Sequence, residues 1–208
     1  MLSKLERFDL IEDEDIRLFI QRYRTILDDD SYHRIVLIRA NVAAQKGKKE
    51  LAQALYKQLL EQNDSVSSII LAWAYRGMSL TLNSQDPEFY NYQEMSVYTF
   101  LQSGKKIEAA GSLYAMASVL EFDDPDKALE ILDEATALLR TDSLIAQAGI
   151  ASLLHTKARI LSRIESYEEA LTEVEKAIEI LREIVGCECE ILASLKLAAK
   201  ISTKLKIQ

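Results

Sequence analysis

Apolar residues recur along this chain at the spacing of helix faces. Ile16, Phe19, Ile20, Tyr23, Ile26 and Leu27 fall at intervals of three and four, after a shorter pattern at Leu2, Leu5 and Phe8. Asp28, Asp29 and Asp30 then break the run. Three adjacent carboxylates suit a turn and an N-cap better than a Ca²⁺ loop, whose ligands alternate along the chain. Val36, Ala40 and Ala43 predict a helix over 31–46 that Gly47 ends, and Ala52, Leu55, Tyr56 and Leu59 predict its returning partner. Trp73, Gly77 and Leu80 mark the next helix. Asp86-Pro87 opens another, which carries Phe89, Tyr90, Tyr92, Tyr98 and Phe100 and stops at Gly104.

The second half repeats the arrangement with cleaner spacing. Leu113, Ala117 and Leu120 predict one helix, and Asp124-Pro125 opens its partner with Ala128, Leu132, Ala135 and Leu139. Leu154, Ala158 and Leu161 precede a polar turn at 163–166, and Ala170, Val174, Ala177 and Ile178 follow it. Ser166 and Glu169 stand at capping-box spacing, which predicts that the hydroxyl caps the second helix. Gly186 ends that pair, and a last helix is expected from about Cys187 to Lys204. Aligned by their small residue, the first helices give Ala40, Gly77, Ala117, Ala158 and Ala199, separated by 37, 40, 41 and 41 residues. Small residues are what two helices need where their backbones cross closely.

With Leu154, Ala158, Leu161, Tyr167, Ala170, Val174 and Ala177, the stretch 151–185 resembles the tetratricopeptide repeat. Trp73, Gly77 and Leu80 match a further part of that pattern, with Arg76 where the repeat usually has leucine. The period is longer than the family's 34 residues, so the resemblance is to a divergent relative. It implies an all-α, helical-hairpin solenoid of about ten helices. The expected layout is one continuous domain, with a helical cap region at 1–29, four helix pairs at 30–186 and a capping helix at 187–208.

The resemblance also implies where a ligand would lie. Groove positions fall three before, one after and five after each small residue. That set comprises Leu37, Asn41 and Gln45; Ala74, Met78 and Leu82; Tyr114, Ser118 and Phe122; His155, Arg159 and Arg163; and Lys196, Lys200 and Lys204. Such a groove grades from neutral, through apolar and aromatic, to basic. It would suit a protein or peptide with apolar anchors and an acidic end. Asn41 fits the asparagine of the family's carboxylate clamp, but Leu37 stands where that clamp has lysine. The aromatic helix from Phe89 to Phe100, with Tyr75, is either filler between irregular pairs or a second docking surface.

Composition narrows the function further. The 208 residues are 49% hydrophobic and 28% charged, the balance of a folded domain, and the net charge of −8 argues against nucleic acid as the main ligand. The longest uncharged run, 143–156, is short of the ~20 residues a membrane span needs. Charged residues within 1–10 interrupt any signal-like apolar stretch, and Cys187 and Cys189 are the only cysteines, so a cytoplasmic setting is expected. His33 and His155 are the only histidines and form no metal-binding or triad motif. Cys187-x-Cys189 lacks zinc-knuckle spacing, and no glycine cluster forms a phosphate loop. The reading is a non-catalytic scaffold or adaptor without cofactor or metal. A chaperone for a secreted or assembling subunit and a peptide-sensing regulator are the alternatives.

Overall fold

A computed structural model describes residues 12–62, 64–83, 85–139 and 143–206; the pattern at Leu2, Leu5 and Phe8 lies outside them. The described residues form ten helices and no strand. Within each of its two halves, each helix packs chiefly on its neighbours in sequence, as stacked helical hairpins do. The chain divides into two compact units that meet in sequence at Lys105 and Lys106.

The first unit holds α1 (Asp13–Tyr23), α2 (Asp29–Gln45), α3 (Lys49–Glu61), α4 (Ser68–Leu80) and α5 (Pro87–Gln102). Helices α2 and α3 form one hairpin and α4 and α5 another, with α4 lying against both α2 and α3. Ala40, Ala43, Ala52, Tyr56, Leu59, Ile70 and Ala74 fill the space between them. Helix α1 is fastened to α2 by the Asp13–Arg39 pair at 2.5 Å. The second unit holds α6 (Lys106–Leu120), α7 (Pro125–Leu138), α8 (Leu144–Arg163), α9 (Tyr167–Arg182) and α10 (Glu188–Leu205). Here α6/α7 and α8/α9 are the hairpins, and α10 packs on α9 and touches α8.

Helix starts follow the aspartates. Asp28 accepts from the Ser31 amide at 2.8 Å, Asp86 from the Glu88 amide at 3.0 Å, and Asp124 from the Lys127 amide at 3.0 Å. Each satisfies one of the amides that a helix N-terminus leaves unpaired. Helix ends follow the left-handed residues. Gly47 (φ +72°) lets the Lys48 amide donate to the Ala43 carbonyl at 2.8 Å, and Gly104 (φ +69°) does the same for Lys105 and Phe100 at 2.8 Å.

At the α8–α9 turn the structure departs from the sequence reading. Ser166 makes no side-chain cap to α9. Its amide instead donates to the Leu161 carbonyl at 2.9 Å, closing the α8 end around Glu165, which takes φ +64°. Its own backbone, at φ −77° and ψ 65°, is therefore not the extended conformation from which a cap hydroxyl reaches the next turn. One serine cannot serve both motifs, and the C-terminal one wins.

The aromatic helix α5 divides by face. Phe89 and Phe100 are buried, whereas Tyr98 is 61% exposed. Trp73 meets Phe100 edge-on at 5.2 Å, and the Arg76 guanidinium lies 5.4 Å from the Trp73 ring, so its stem takes an apolar place that leucine fills in the resembled repeat.

Gly77 earns its place through Tyr56. A methyl group at Gly77 would meet Tyr56 Cζ, and would lie 2.5 Å from its Cε1 and 2.6 Å from its hydroxyl oxygen. That ring is 1% exposed and its hydroxyl donates to Asn41 at 2.7 Å, so it has no room to retreat. Gly77→Ala is expected to destabilise the first unit by about 1–3 kcal/mol, measured by urea unfolding, and shortening Tyr56 to leucine should return part of the loss. Glu165→Gly should have the opposite sign. Removing the Cβ from a left-handed residue is expected to stabilise the second unit by about 0.5–1 kcal/mol, read as a raised thermal midpoint.

Candidate functional site

The second unit arranges its three first helices in one register. Ala110, Leu113, Ala117 and Leu120 of α6 recur 41 residues later as Ala151, Leu154, Ala158 and Leu161 of α8, and this is the face of α8 that α9 covers. Applied once more, the interval pairs Leu153 with Ser194 and Ile160 with Ile201, and all four are buried. Locking these positions leaves the residues three before, one after and five after the small residue on a common outward side. Tyr114 and Ser118 stand on α6 and Phe122 in the turn just after it, His155, Arg159 and Arg163 on α8, and Lys196, Lys200 and Lys204 on α10.

None of these nine side chains is buried. Tyr114 is 37% exposed and Phe122 68%. The Ser118 hydroxyl donates to the Tyr114 carbonyl at 2.9 Å, a bond internal to α6. Arg159 donates through Nη2 to Glu121 Oε2 at 2.6 Å, and Arg163 Nη1 lies 3.6 Å from Glu121 Oε1. The Arg163 guanidinium also rests 3.7 Å from the Phe122 ring centroid. Glu121 and Phe122, consecutive residues at the end of α6, therefore hold two arginines one turn apart on α8. The Glu121 side chain is 8% exposed while the Arg159 and Arg163 side chains remain 44% and 39% exposed, and each guanidinium has more donors than Glu121 engages.

Glu121 is the residue that the sequence reading missed. Its partners lie 38 and 42 residues away, beyond any local spacing rule. The available signal was its place directly before Phe122, which the register had already set opposite Arg163.

Lys196 and Lys200 are exposed, and neither is in an ion pair among the described residues. His155 is half-buried, with Nδ1 3.0 Å from the Ser194 hydroxyl of α10. Burial, reinforced by the nearby Arg159 charge, holds this imidazole below its ordinary value.

The positions expected from the first unit behave differently. Met78 is 9% exposed and packs in the core with Leu37 and Ala74. Asn41 accepts the Tyr56 hydroxyl at 2.7 Å and is partly buried. Leu37, Ala74 and Met78 share the core that α2, α3 and α4 enclose, and Asn41 is tied to α3, so these positions serve packing. The structure thus draws Tyr114, Ser118, His155, Arg159, Arg163, Lys196 and Lys200 onto one side of the second unit, and places Asn41 and Met78 inside the first.

Cys187 and Cys189 are free thiols, and among the described residues no group of His, Cys, Asp and Glu is arranged to hold a metal ion. No described helix is long and apolar enough to cross a membrane. No protein-family model matches the chain.

The His155 environment sets a pH dependence. A histidine whose folded value is depressed takes up a proton in the unfolded chain first. Its contribution is therefore complete above about pH 6.5 and declines as the pH falls toward the folded value. His155→Asn is expected to flatten the fall in thermal midpoint between about pH 7 and pH 5, relative to the unaltered protein. An unchanged pH profile would contradict the assignment.

Proposed function

We propose that this chain is a non-catalytic protein- or peptide-binding module, tetratricopeptide-like in its hairpins, that works as a scaffold or adaptor. The ligand surface is the outward side of α6, α8 and α10, and the ligand is a segment with an apolar anchor and an acidic stretch. One observation carries the reading: exposed Tyr114 on α6 and Phe122 just after it give way to five cations on α8 and α10, whose ion pairs among the described residues run to the single carboxylate of Glu121.

A surface of that kind has a clear physical use. Like charges four residues apart on a helix cost a few tenths of a kcal/mol per pair, so Lys196, Lys200 and Lys204 are mildly unfavourable until an anion arrives. The arginines are held by Glu121 and Phe122, so less side-chain entropy remains to be lost on binding. Guanidiniums already oriented can offer their open edges to a carboxylate in bidentate fashion. The aromatic side supplies contact area, and the basic side supplies direction and encounter rate.

The test is affinity capture with the intact protein and with an Arg159→Glu, Lys200→Glu variant, followed by titration of the purified partner. A partner held by the unaltered protein, lost by the variant and released by rising salt is the expected result. Equal capture by both proteins, indifferent to salt, would sink the reading.

A further inference from the structure

Helix α10 repeats in part the lateral face that α8 uses to hold α9, with Leu195 and Ala199 in the places of Leu154 and Ala158, and no described helix covers it. In α8 that face is Ala151, Leu154, Ala158 and Leu161. Ala151 and Ala158 are fully buried there, beneath Ala170, Val174, Ala177 and Leu181 of α9. The same register gives Leu192, Leu195, Ala199 and Ser202 on α10. Leu192 is 52% exposed, Leu195 44%, and Ala199 is exposed although Ala158 is at 0%. A helix face that met only water would carry polar residues here. Instead it offers two leucines beside an alanine small enough for a helix backbone to approach. Lys196 lies one turn from both Leu192 and Ala199, and Lys200 and Lys204 continue its line without ion pairs among the described residues.

We propose that the face formed by Leu192, Leu195 and Ala199 is a docking seam for an acidic amphipathic helix of a partner protein. Two features select that occupant. The internal copy of the seam is filled by α9, a helix with apolar and small residues at spacings of three and four. Over residues 167–182, α9 carries five glutamates against Lys176 and Arg182. The flank of the α10 seam is a row of lysines, complementary to the glutamates of a helix patterned this way. The seam borders the outward side of α6, α8 and α10 and shares its lysine row, but its apolar contact residues belong to α10 alone and include neither Arg159 nor Arg163.

The chain supplies its own probe. A synthetic peptide with the sequence of residues 167–182, labelled with a fluorophore, is titrated with the full chain and followed by anisotropy. A peptide of the same composition in scrambled order serves as control. Saturable binding of the patterned peptide is expected, weakened by added salt and reduced about tenfold or more by Leu195→Glu. Because Leu195 is half exposed, the variant should keep its helical circular dichroism and thermal midpoint. Should it not, Leu192→Ser provides the second reading, with the same loss of affinity expected.

Absence of binding, equal binding of the scrambled peptide, or binding indifferent to both leucine substitutions would overturn the proposal. So would a dimer of the chain that Leu195→Glu dissociates and the peptide does not compete with, because the occupant would then be a second copy. Arg159→Glu separates this proposal from the functional one, since it should abolish partner capture on the outward side while leaving peptide docking on the seam within about twofold.

Discussion

Close approach between neighbouring helices is the constraint from which the other features follow. Where two backbones cross, only a methyl group or a hydrogen fits, and a larger side chain would hold the helices apart. Ala117 and Ala158 are fully buried at such crossings in the second unit. Gly77 is the extreme case in the first, with the Tyr56 ring occupying the volume its own side chain would need. Once the crossing residue is fixed, helix geometry dictates where every other side chain points. The outward rows of α6, α8 and α10 are a consequence of that register, and they would dissolve if any crossing slipped by one residue.

On that scaffold the Glu121 cluster settles what kind of surface results. Glu121, whose side chain is 8% exposed, has surrendered most of its hydration, which the Arg159 hydrogen bond and the Arg163 charge replace. The arginines lose far less, because each stays more than a third exposed. The pairing therefore orients the arginines without neutralising the surface: one negative charge serves two positive ones, and the lysines of α10 add to the excess. Arginine suits this double duty because its planar fork can bind Glu121 on one edge, stack on Phe122, and leave other N–H groups free.

What could be read from sequence divides along the range of the interactions involved. Helix starts at Asp28, Asp86 and Asp124 were legible because a cap is formed by neighbours in the chain, and Gly47 and Gly104 announced helix ends for the same reason. The turn at 164–166 was misread where two local motifs compete for one residue: Ser166 matches a capping box, but Glu165 adopts a left-handed conformation usually left to glycine, and nothing in its identity reveals it. Asn41 and Met78 lie deeper than an open groove position for a different cause. The resemblance placed them on a groove by position within a repeat, whereas the depth at which α2 meets α4 is set by Leu37, Ala74 and Tyr56 together. The Arg159–Glu121 pair spans 38 residues and became visible only once two helices were set side by side.

Ala158 and Ala199 carry this point to its limit. They are the same residue in the same register, each with a leucine four positions before it, yet one is wholly buried and the other exposed. The residue and the leucine before it do not separate them; the difference is that α9 packs across the first. Burial in a stacked-hairpin fold is thus decided one element away from the residue being read. An apolar face patterned for a neighbour keeps that pattern whether or not the neighbour is in place. The free energy a covering helix would gain from Leu192 and Leu195, about 25 cal/mol for each Å² withdrawn from water, therefore remains unrealised on α10 as the structure stands.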